Sequence, residues 1–347
     1  MSAEKGLVPR LRFPEFREAR EWEPRKIGDI CVTFSGGTPS TTRKEFYGGD
    51  IPFIRSAEIG AKQTELFITK TGLASSSAKL AEKGDVLVAL YGANSGDVAL
   101  AKINGAINQA ILCLRTFSSN AFVYHYLTLL KEWIVMTHLQ GGQGNLSGEI
   151  VKSILLFIPY PEEQRKIAAC ISSLDALIAA QADKLDALKT HKKGLMQQLF
   201  PGEGETVPRL RFPEFREVRE WEQKKLSDLF SFRNGLNADK EKYGKGHKYI
   251  SVLDIISGKP ITYDSIHSSV EITDKELELF KVEYGDILFQ RSSETQDEAG
   301  QASVYLDRKK PAIFGGFVIR GKRISDYQPL FMSALLASAH VRKAISS

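Results

Sequence analysis

The residue types most often used for catalysis and metal binding are scattered through this 347-residue sequence. The Gly244-Lys245-Gly246 stretch lacks the spacing of the phosphate-binding loop that nucleotide hydrolysis would need. Tyr160 stands in Ile-Pro-Tyr-Pro, which is not an adenine-methyltransferase signature, and the six histidines have no metal-ligand spacing. The sequence therefore predicts a chain that is not an enzyme, with no cofactor and no metal.

An internal duplication indicates which elements organise the chain. Residues 8–23 read VPRLRFPEFREAREWE and residues 207–222 read VPRLRFPEFREVREWE, which are identical at 15 of 16 positions. A repeat period this long is typical of two whole domains rather than of a solenoid. The predicted parts are a first domain at 1–160, a spacer helix at 161–201 and a second domain at 202–347.

Each copy is predicted to be mostly β-sheet with a helix after it. A glycine-aspartate turn leads into an alternating β-branched strand at residues 83–88 and again at 284–289. Further strands are predicted at 51–55, 106–114, 248–253 and 312–319, and Asn120 and Asp326 are predicted to cap the helices. The predicted fold class is α+β, with two repeated mostly-β domains joined by a long coiled-coil-type spacer helix.

The spacer helix is predicted from a sustained heptad pattern that ends at Pro201. Roughly 38 residues at about 1.5 Å each give a rod of about 57 Å, which would set the separation of the two domains. Gln181 and Lys192 interrupt the apolar seam. The seam residues predicted to pack against another helix are Ile171, Leu174, Ile178, Leu185, Leu188, Leu195 and Leu199.

Composition restricts function only weakly. A net charge of +5 permits nucleic acid as a partner but does not require it. No apolar run approaches the length of a membrane span and no signal-peptide pattern opens the chain, so we expect a cytoplasmic protein. Cys31, Cys113 and Cys170 have apolar neighbours in the sequence, which predicts buried reduced thiols.

Several motifs resemble the specificity subunit of type I restriction-modification systems. They are the repeated opening with its Lys-Ile-Gly-Asp-Ile continuation, Gly-Gly-Thr-Pro-Ser at 36–40, Tyr-Gly-Gly-Asp-Ile-Pro-Phe at 47–53 and Lys-Gly-Asp at 83–85. Gly-Gly-Gln-Gly-Asn-Leu-Ser at 141–147 and Ile-Pro-Tyr-Pro-Glu-Glu-Gln-Arg-Lys-Ile at 158–167 are also similar to that family. The resemblance covers essentially the whole chain.

The resemblance implies a DNA-recognition subunit without chemistry of its own. Such subunits carry two target-recognition domains, each reading one half of a split sequence in double-stranded DNA, with two long helices as the spacer. They hold methyltransferase subunits that modify adenine at N6, and they recruit the motor and nuclease restriction subunit.

On this resemblance, polar loop residues of the first domain are candidate DNA contacts. Hydroxyls and backbone amides at 35–41 suit phosphates, an arginine suits guanine, and the Asn108 and Gln109 amides suit adenine. The loops can equally be plain turns, and Arg55 an ordinary surface charge. The candidates are Ser35, Thr38, Ser40, Thr41, Arg55, Tyr91, Asn94, Ser95, Asn108, Gln109, Gln143 and Asn145.

The second domain carries different residues at the matching places, as a different half-site would require. Arg233 and Asn234 stand where the first copy has Phe34 and Ser35, and a polar run replaces the Tyr91 loop. The candidates are Arg233, Asn234, Gln290, Arg291, Ser292, Ser293, Thr295 and Lys309, although lysines at a turn are often simply solvated.

The chain departs from the family after the second copy. About sixty residues of the first copy, from 140 to 200, have no counterpart after the second, so the second spacer helix is expected to be missing. The apolar seam would then lack its internal partner. We expect it to self-associate or to bind a helix of another chain. The alternative is that it lies on its own domains, or that the chain is a gene fragment that folds poorly.

Two other classes of function stay open on the sequence alone. One is a coiled-coil scaffold with two β-rich protein-binding domains and no DNA affinity, which a steep salt dependence of duplex binding would exclude. The other is an enzyme with an unrecognised site, which predicts activity from the chain alone with S-adenosylmethionine or ATP.

Overall fold

The computed structural model describes residues 6–138, 145–293 and 300–346. The chain divides into two compact units, Met1–Ala182 and Asp183–Ser347, and the boundary falls inside the long helix. Within the described ranges, no helix is long and apolar enough to cross a membrane.

Among the described residues, the first unit contains ten strands and the start of the long helix. Its helices are α1 (Ile27–Ile30), α2 (Lys70–Ala74), α3 (Asn120–His138), α4 (Gly148–Ser153) and α5 (Pro161–Leu199). Its strands are β1 (Glu23–Lys26), β2 (Cys31–Ser35), β3 (Tyr47–Ile54), β4 (Leu66–Ile68), β5 (Lys79–Ala81), β6 (Val86–Ala89), β7 (Val98–Leu100), β8 (Gly105–Ile107), β9 (Ile111–Thr116) and β10 (Leu155–Ile158).

In the part of the second unit that the structure describes there are eight strands and five shorter α-helices. The helices are α6 (Leu226–Leu229), α7 (Val252–Ile256), α8 (Asp274–Phe280), α9 (Pro329–Leu336) and α10 (Ala339–Ser346). The strands are β11 (Phe230–Asn234), β12 (Tyr243–Ile250), β13 (Ser269–Val270), β14 (Lys281–Val282), β15 (Ile287–Gln290), β16 (Ala302–Val304), β17 (Ala312–Phe314) and β18 (Val318–Arg323).

The two units repeat the same pair of four-stranded sheets. The first sheet has the order β2-β9-β6-β7 in one unit and β11-β18-β15-β16 in the other. The second sheet has the order β4-β3-β8-β5 and β13-β12-β17-β14, with a parallel pair (β3–β8, β12–β17) inside an otherwise antiparallel sheet. This repetition confirms the predicted α+β class, with two β-rich domains and a long helix.

The central strands of the first sheet of the first unit, β6 and β9, are buried on both faces. Val86, Val88, Leu112 and Leu114 contact a core built with α3, and the alternate residues face a core shared with Ile54 and Ile107 of the second sheet. Because strand side chains alternate between faces, strands covered on both sides read as continuous apolar runs. The Val-Leu-Val-Ala sequence of β6 is such a run, and all four of its residues are buried.

Both predicted glycine-aspartate turns are present and lead into β6 and β15. Gly84 and Gly285 have φ of 94° and 91°, a conformation that favours glycine. The aspartates that follow are buried and accept from backbone N–H groups, with Glu82 N to Asp85 Oδ2 at 2.8 Å and Glu283 N to Asp286 Oδ2 at 3.0 Å.

The surroundings of the two aspartates differ. Burial alone would raise the pKa of Asp85. The two hydrogen bonds from Arg115, of 2.9 and 2.7 Å, the Glu82 backbone donor and the Arg115 charge together outweigh burial, so the pKa of Asp85 lies below its ordinary value. Burial raises the pKa of Asp286 in spite of its backbone donors. Arg320, which is buried near Asp286, occupies the sheet position that Cys113 holds in the first unit.

Three predicted strands were wrong in their extent. The 106–114 segment is two strands, because the Asn108 side chain accepts from Ala110 N and turns the chain. The 312–319 segment is likewise divided, at Gly315 and Gly316. The 248–253 strand ends at Ile250, and α7 follows it.

The two residues predicted to cap helices do not cap them, and residues one and two positions away do so instead. One of the three cysteines predicted to be buried is exposed. Ser119 Oγ accepts from Phe122 N, whereas Asn120 Oδ1 accepts from Thr116 N. Gln328 caps α9, and Asp326 pairs with Arg323 instead. Cys31 and Cys113 are buried as expected, but Cys170 is exposed on α5.

The long helix begins as predicted, after the Ile-Pro-Tyr-Pro corner, and runs for 39 residues. Proline at its first position and two glutamates in its first turn suit a helix N-terminus. Glu163 makes a two-pronged ion pair with Arg12 of the opening segment, with N–O distances of 2.8 and 2.7 Å. The two side chains are only 6% and 1% exposed, so a buried charge pair holds the start of α5.

We expect Asp85→Asn to lower the free energy of unfolding of the first unit by about 2 kcal/mol at pH 7, because the charge that meets the Arg115 guanidinium is lost. The folded-state pKa of Asp85 is depressed, so its stabilisation is present above the ordinary carboxyl pKa and is lost as pH falls through the folded value. The difference from wild type should therefore shrink in acid. Urea unfolding followed by Trp22 and Trp133 fluorescence, in a Trp221→Phe background, measures it.

The matched control is Asp286→Asn in the second unit, followed by Trp221 fluorescence. The pKa of Asp286 is raised, so its ionised form is held less favourably, and the loss at pH 7 should stay below about 1 kcal/mol. Equal losses in the two variants at pH 7 would contradict this account.

Candidate nucleic-acid interface

Strand pairing brings three loops of the first unit to one edge of its first sheet. Ser35 at the end of β2 lies opposite Leu112, and Ala89 at the end of β6 lies opposite Ile111, at the start of β9. The loops that follow β2 and β6 and the turn that precedes β9 therefore meet at this edge. We call it the loop edge of the first unit.

The second sheet adds residues to the same edge. Because β3 and β8 run parallel with Ile54 opposite Ile107, Arg55 and Asn108 follow neighbouring strands. Gly37 N donates to Ile107 O at 3.2 Å and Gly36 N to Asn108 O at 3.3 Å, which ties the loop after β2 to this turn. Both sheets thus contribute predicted contact residues to one surface.

Within the loop edge, the predicted hydroxyl and amide residues contact one another. Thr38 Oγ1 donates to Gln109 Oε1 at 2.7 Å, and Ser40 Oγ lies 2.9 Å from Thr42 Oγ1. Thr38, Ser40 and Thr41 are exposed, and Ser35 is half-buried. Asn108 uses its carbonyl oxygen for the Ala110 backbone and is half-buried. These groups form a neutral, hydrogen-bonding surface.

Arg55 is committed to two carboxylates. Its Nε donates to Glu58 Oε2 at 3.0 Å and its Nη2 donates to Glu65 Oε2 at 2.5 Å. These hydrogen bonds, that of Glu58 first, raise the pKa of Arg55 above its ordinary value. A contact from Arg55 to guanine would require both carboxylates to give way.

The loop between β6 and β7 divides into exposed and structural residues. Tyr91 is exposed and Asn94 is half-buried. Ser95 is buried, and its Oγ donates to Leu90 O at 2.8 Å and accepts from Leu146 N at 3.3 Å. The prediction that Ser95 is a surface contact was wrong, because this hydroxyl satisfies two backbone groups.

Of the residues predicted near 143–145, Asn145 flanks that loop. Asn145 is exposed and immediately precedes Leu146, whose N–H donates to Leu90 O at 2.8 Å. Asn145 therefore belongs to the loop edge. Gln143 lies outside the described residues.

The second unit builds an equivalent loop edge with different side chains. Asn234 ends β11 opposite Ile319, and Gln290 ends β15 opposite Val318. Arg291 N donates to Phe317 O at 2.9 Å, just as Leu90 N donates to Ala110 O at 2.8 Å. Arg233, Asn234, Arg291 and Ser292 are exposed and Ser293 is half-buried, whereas Thr295 lies outside the described residues.

Gln290 is buried, which corrects its prediction as a surface contact. Its Nε2 donates to Ser292 O at 3.1 Å, and its Oε1 has no partner among the groups that the structure describes. Gln290 lines an open cavity of about 470 Å³ at the loop edge, together with Phe232, Arg233 and Arg291. Buried amides of this kind usually need a second partner.

Lys309 lies apart from the other residues predicted to contact DNA in the second unit. It follows β16, whose Val304 pairs with Ile287 at the start of β15. The turn that holds Lys309 therefore lies at the opposite edge of the sheet from Arg291. Arg308 beside it stacks on Tyr284, with 3.8 Å between guanidinium and ring centre.

Sequence reasoning missed two exposed residues of the loop edges. Phe317 is 69% exposed at the turn before β18, and the two glycines before it are the signal that could have marked a tip. Lys79 starts β5 opposite Ile107 and is exposed, with its Nζ 5.8 Å from the Phe34 ring centre. No motif distinguishes this lysine.

The predicted seam of α5 is largely accessible to solvent. Six of the seven seam residues are exposed and Leu199 is half-buried. The exposed fractions reach 67% at Ile178 and 56% at Leu188.

Among the described ranges no group of three His, Cys, Asp or Glu residues could hold a metal ion.

Comparisons with known proteins give one consistent result. A family model described as the type I restriction modification DNA specificity domain matches residues 19–190. The type I restriction enzyme MjaIX specificity subunit of Methanocaldococcus jannaschii is 28% identical over 310 residues, which cover 82% of this chain and 71% of that protein. The MjaVIII specificity subunit of the same organism is 24% identical over 352 residues, covering 97% and 78%.

Solved structures share the fold. The S subunit of a type I restriction-modification system from M. genitalium matches with a TM-score of 0.60 at 16% identity, covering 98% of this chain and 81% of that chain. A chain from a structure that describes complex assembly in the type I R-M system matches with a TM-score of 0.51 at 16% identity, covering 92% of this chain and 80% of that chain. At these identities the likeness concerns the fold.

We expect Ser95→Ala to lower the free energy of unfolding of the first unit by about 1 kcal/mol, because Leu90 O loses a buried hydroxyl donor, although it keeps the N–H of Leu146. Urea unfolding in the Trp221→Phe background measures the change. Ser40→Ala, on the exposed part of the same loop edge, is the matched control and should stay within about 0.5 kcal/mol. A neutral Ser95→Ala would refute the structural role of Ser95.

Proposed function

Because the chain belongs to the family of type I restriction-modification specificity subunits, we propose that it recognises a bipartite double-stranded DNA target through its two loop edges. As a specificity subunit it confers DNA sequence specificity and is not itself catalytic. In this proposal it holds adenine-N6 methyltransferase subunits at the recognised site and recruits the motor and nuclease restriction subunit.

The observation that carries the proposal is one scaffold with two sets of loop-edge side chains. Strand order is the same in both units, yet Arg233, Arg291 and Phe317 replace Phe34, Leu90 and Ala110 at the matching positions. A rigid sheet that presents variable loops is a common design for recognition. Two related surfaces with different chemistry suit two different half-sites.

The first loop edge suits contacts made by neutral hydrogen-bonding groups. Thr38, Ser40 and Thr41 offer exposed hydroxyls for phosphate oxygens, and Gln109 with Asn145 offers amides for base edges or sugars. Tyr91 provides an exposed ring beside them. Ser35, Asn94 and Asn108 are half-buried and are proposed as secondary contacts, whereas Arg55 would contribute only after leaving Glu58 and Glu65.

The second loop edge suits recognition of DNA by charged side chains. Arg233 and Arg291 are exposed guanidiniums, whose paired donors match phosphate oxygens or the O6 and N7 atoms of guanine. Asn234 has the donor and acceptor that match adenine. Ser292 and Ser293 extend the same surface, and Lys309 at the opposite edge is left out of the proposed interface.

The length of α5 supports a fixed spacing of the half-sites. At about 1.5 Å per residue, its 39 residues extend about 58 Å, or about 1.6 turns of B-DNA. A flexible linker of this length would leave the spacing undefined.

We further propose that the exposed seam of α5 buries itself against a helix of another copy of the chain. Burial of each leucine or isoleucine side chain is worth about 1.5–3 kcal/mol before ordering costs. An apolar seam of this length is therefore less favourable in water than packed against another helix. A helix of a different chain is the competing occupant.

We expect Arg291→Ala to weaken binding to a duplex that carries the target, as mapped from methylated adenines in DNA of the source cell, by about fivefold or more. The salt slope of binding should also become shallower by about one if the guanidinium meets a phosphate. Fluorescence anisotropy of the complex with its methyltransferase subunits, at several salt concentrations, measures both.

Arg308→Ala, at the opposite edge of the same sheet, is the matched control and should change affinity less than about twofold. Equal effects of the two variants would refute the loop edge as the interface. Salt-independent or absent duplex binding by the wild-type complex would instead favour the protein-interaction scaffold.

For the seam, we expect light scattering to show a mass above the 38.6 kDa monomer for the wild-type chain and a monomer for Leu188→Glu. Ala187→Glu changes the neighbouring exposed position off the seam, so this variant should still associate. A wild-type monomer with an intact helix by circular dichroism would rule out self-association.

A further inference from the structure

The duplicated opening segment folds the same way in both units. Arg12 Nη1 donates to Ala19 O at 2.7 Å, and Arg211 Nη1 donates to Val218 O, at the matching position, at 2.5 Å. Their Nη2 atoms likewise donate to Arg20 O at 3.0 Å and Arg219 O at 3.1 Å. Each arginine thus holds the loop that follows it, with its guanidinium in an equivalent place.

The two arginines differ in their acidic partner. In the first unit the Arg12 guanidinium also grips both carboxylate oxygens of Glu163, and Trp22 Nε1 reaches the same carboxylate at 3.4 Å. The hydrogen bonds of Arg211 all go to backbone carbonyls within its own segment, as far as the described residues extend. A guanidinium placed by the same fold therefore lacks the carboxylate that its counterpart holds.

The aromatic surface beside each arginine shows the same difference. Trp22 packs edge-to-face on Phe122, and Trp221 packs edge-to-face on Phe331, with ring centres 6.2 and 5.5 Å apart. Ile167 of α5 packs against the first core, where Phe122 is 4% exposed. Phe331 is 41% exposed although Phe200 lies against it, and an open cavity of about 630 Å³ adjoins it.

The strand beside the opening segment has no counterpart among the described residues of the second unit. In the first unit β1 pairs antiparallel with β10, the strand that leads directly into α5. The matching residues, 222–225, are exposed and form no strand in the part of the chain that the structure describes. An extended segment could add here through backbone hydrogen bonds.

We infer that the second copy of the opening segment, with Arg211, Trp221 and residues 222–225, is a docking site for a strand-corner-helix segment with the chemistry of residues 154–178. Such a segment brings an apolar strand, a proline corner and a helix whose third residue is glutamate. The strand would pair with 222–225, the glutamate would meet Arg211, and the apolar residues one turn later would cover Phe331.

Charge complementarity and duplication identify this occupant. The two opening segments are identical at 15 of 16 positions, so the surface that recognises the start of α5 exists twice. A planar guanidinium is matched best by a carboxylate that it can grip with two donors. An acidic residue is also favoured in the first turn of the incoming helix. None of this depends on DNA recognition.

The test is calorimetric titration of the full-length chain with a peptide of residues 154–178, in which Cys170 is replaced by serine. We expect one peptide to bind per chain. Glu163→Gln in the peptide should weaken binding about tenfold or more, because a buried two-pronged ion pair loses its charge. Glu162→Gln removes the neighbouring carboxylate, whose counterpart is exposed in the first unit, and should change affinity less than about twofold.

A double-mutant cycle assigns the effect to Arg211. In the Arg211→Met chain, the Glu163→Gln penalty should fall to within about twofold, because the coupled partner is gone. The inference is overturned if the wild-type peptide does not bind, if the Glu162→Gln and Glu163→Gln peptides bind equally well, or if the penalty persists in the Arg211→Met chain. The two peptide variants leave the protein unchanged, so they decide the matter even if Arg211→Met unfolds the segment.

Discussion

The pairing of β6 with β9 and of β15 with β18 is the constraint on which the candidate interface depends. These antiparallel pairs fix which loops share an edge, and the parallel pairs β3–β8 and β12–β17 bring a second sheet to the same place. A shift of one residue in either register would turn the apolar sets of these strands to the wrong faces. Burial on both faces therefore holds the loops of both loop edges in position, while their own sequences stay free to differ.

The sequence predicted the scaffold better than its surface. Duplication, the glycine-aspartate turns and the heptad yielded two β-rich domains and a long helix, because each of these signals can be recognised without knowing any side-chain contact. Strand ends were less predictable, since one Asn108 side chain turns an apolar run into two strands. Ser95 and Gln290 were predicted as contacts because polar residues in loops suit DNA. Their side chains instead donate hydrogen bonds to backbone carbonyls, and the sequence alone does not reveal such bonds.

The near-identity of the opening segments conceals a difference that only contacts reveal. Arg12 and Arg211 make the same hydrogen bonds to their own loops, yet Arg12 also anchors the start of α5 through a desolvated ion pair. A buried charge pair contributes little net stability compared with apolar packing, but it penalises wrong partners strongly. Its role in this fold is better described as selecting which helix start may lie there.

The unequal interiors behind the two glycine-aspartate turns limit how this protein could be re-engineered. Cys113 and Arg320 occupy equivalent core positions, and Arg115 supports the one aspartate while backbone donors support the other. A chimera assembled strand by strand would leave a buried guanidinium unpaired in an apolar interior. Under the proposed function, half-site preference would therefore transfer only when an entire β-rich module is transplanted together with its own interior.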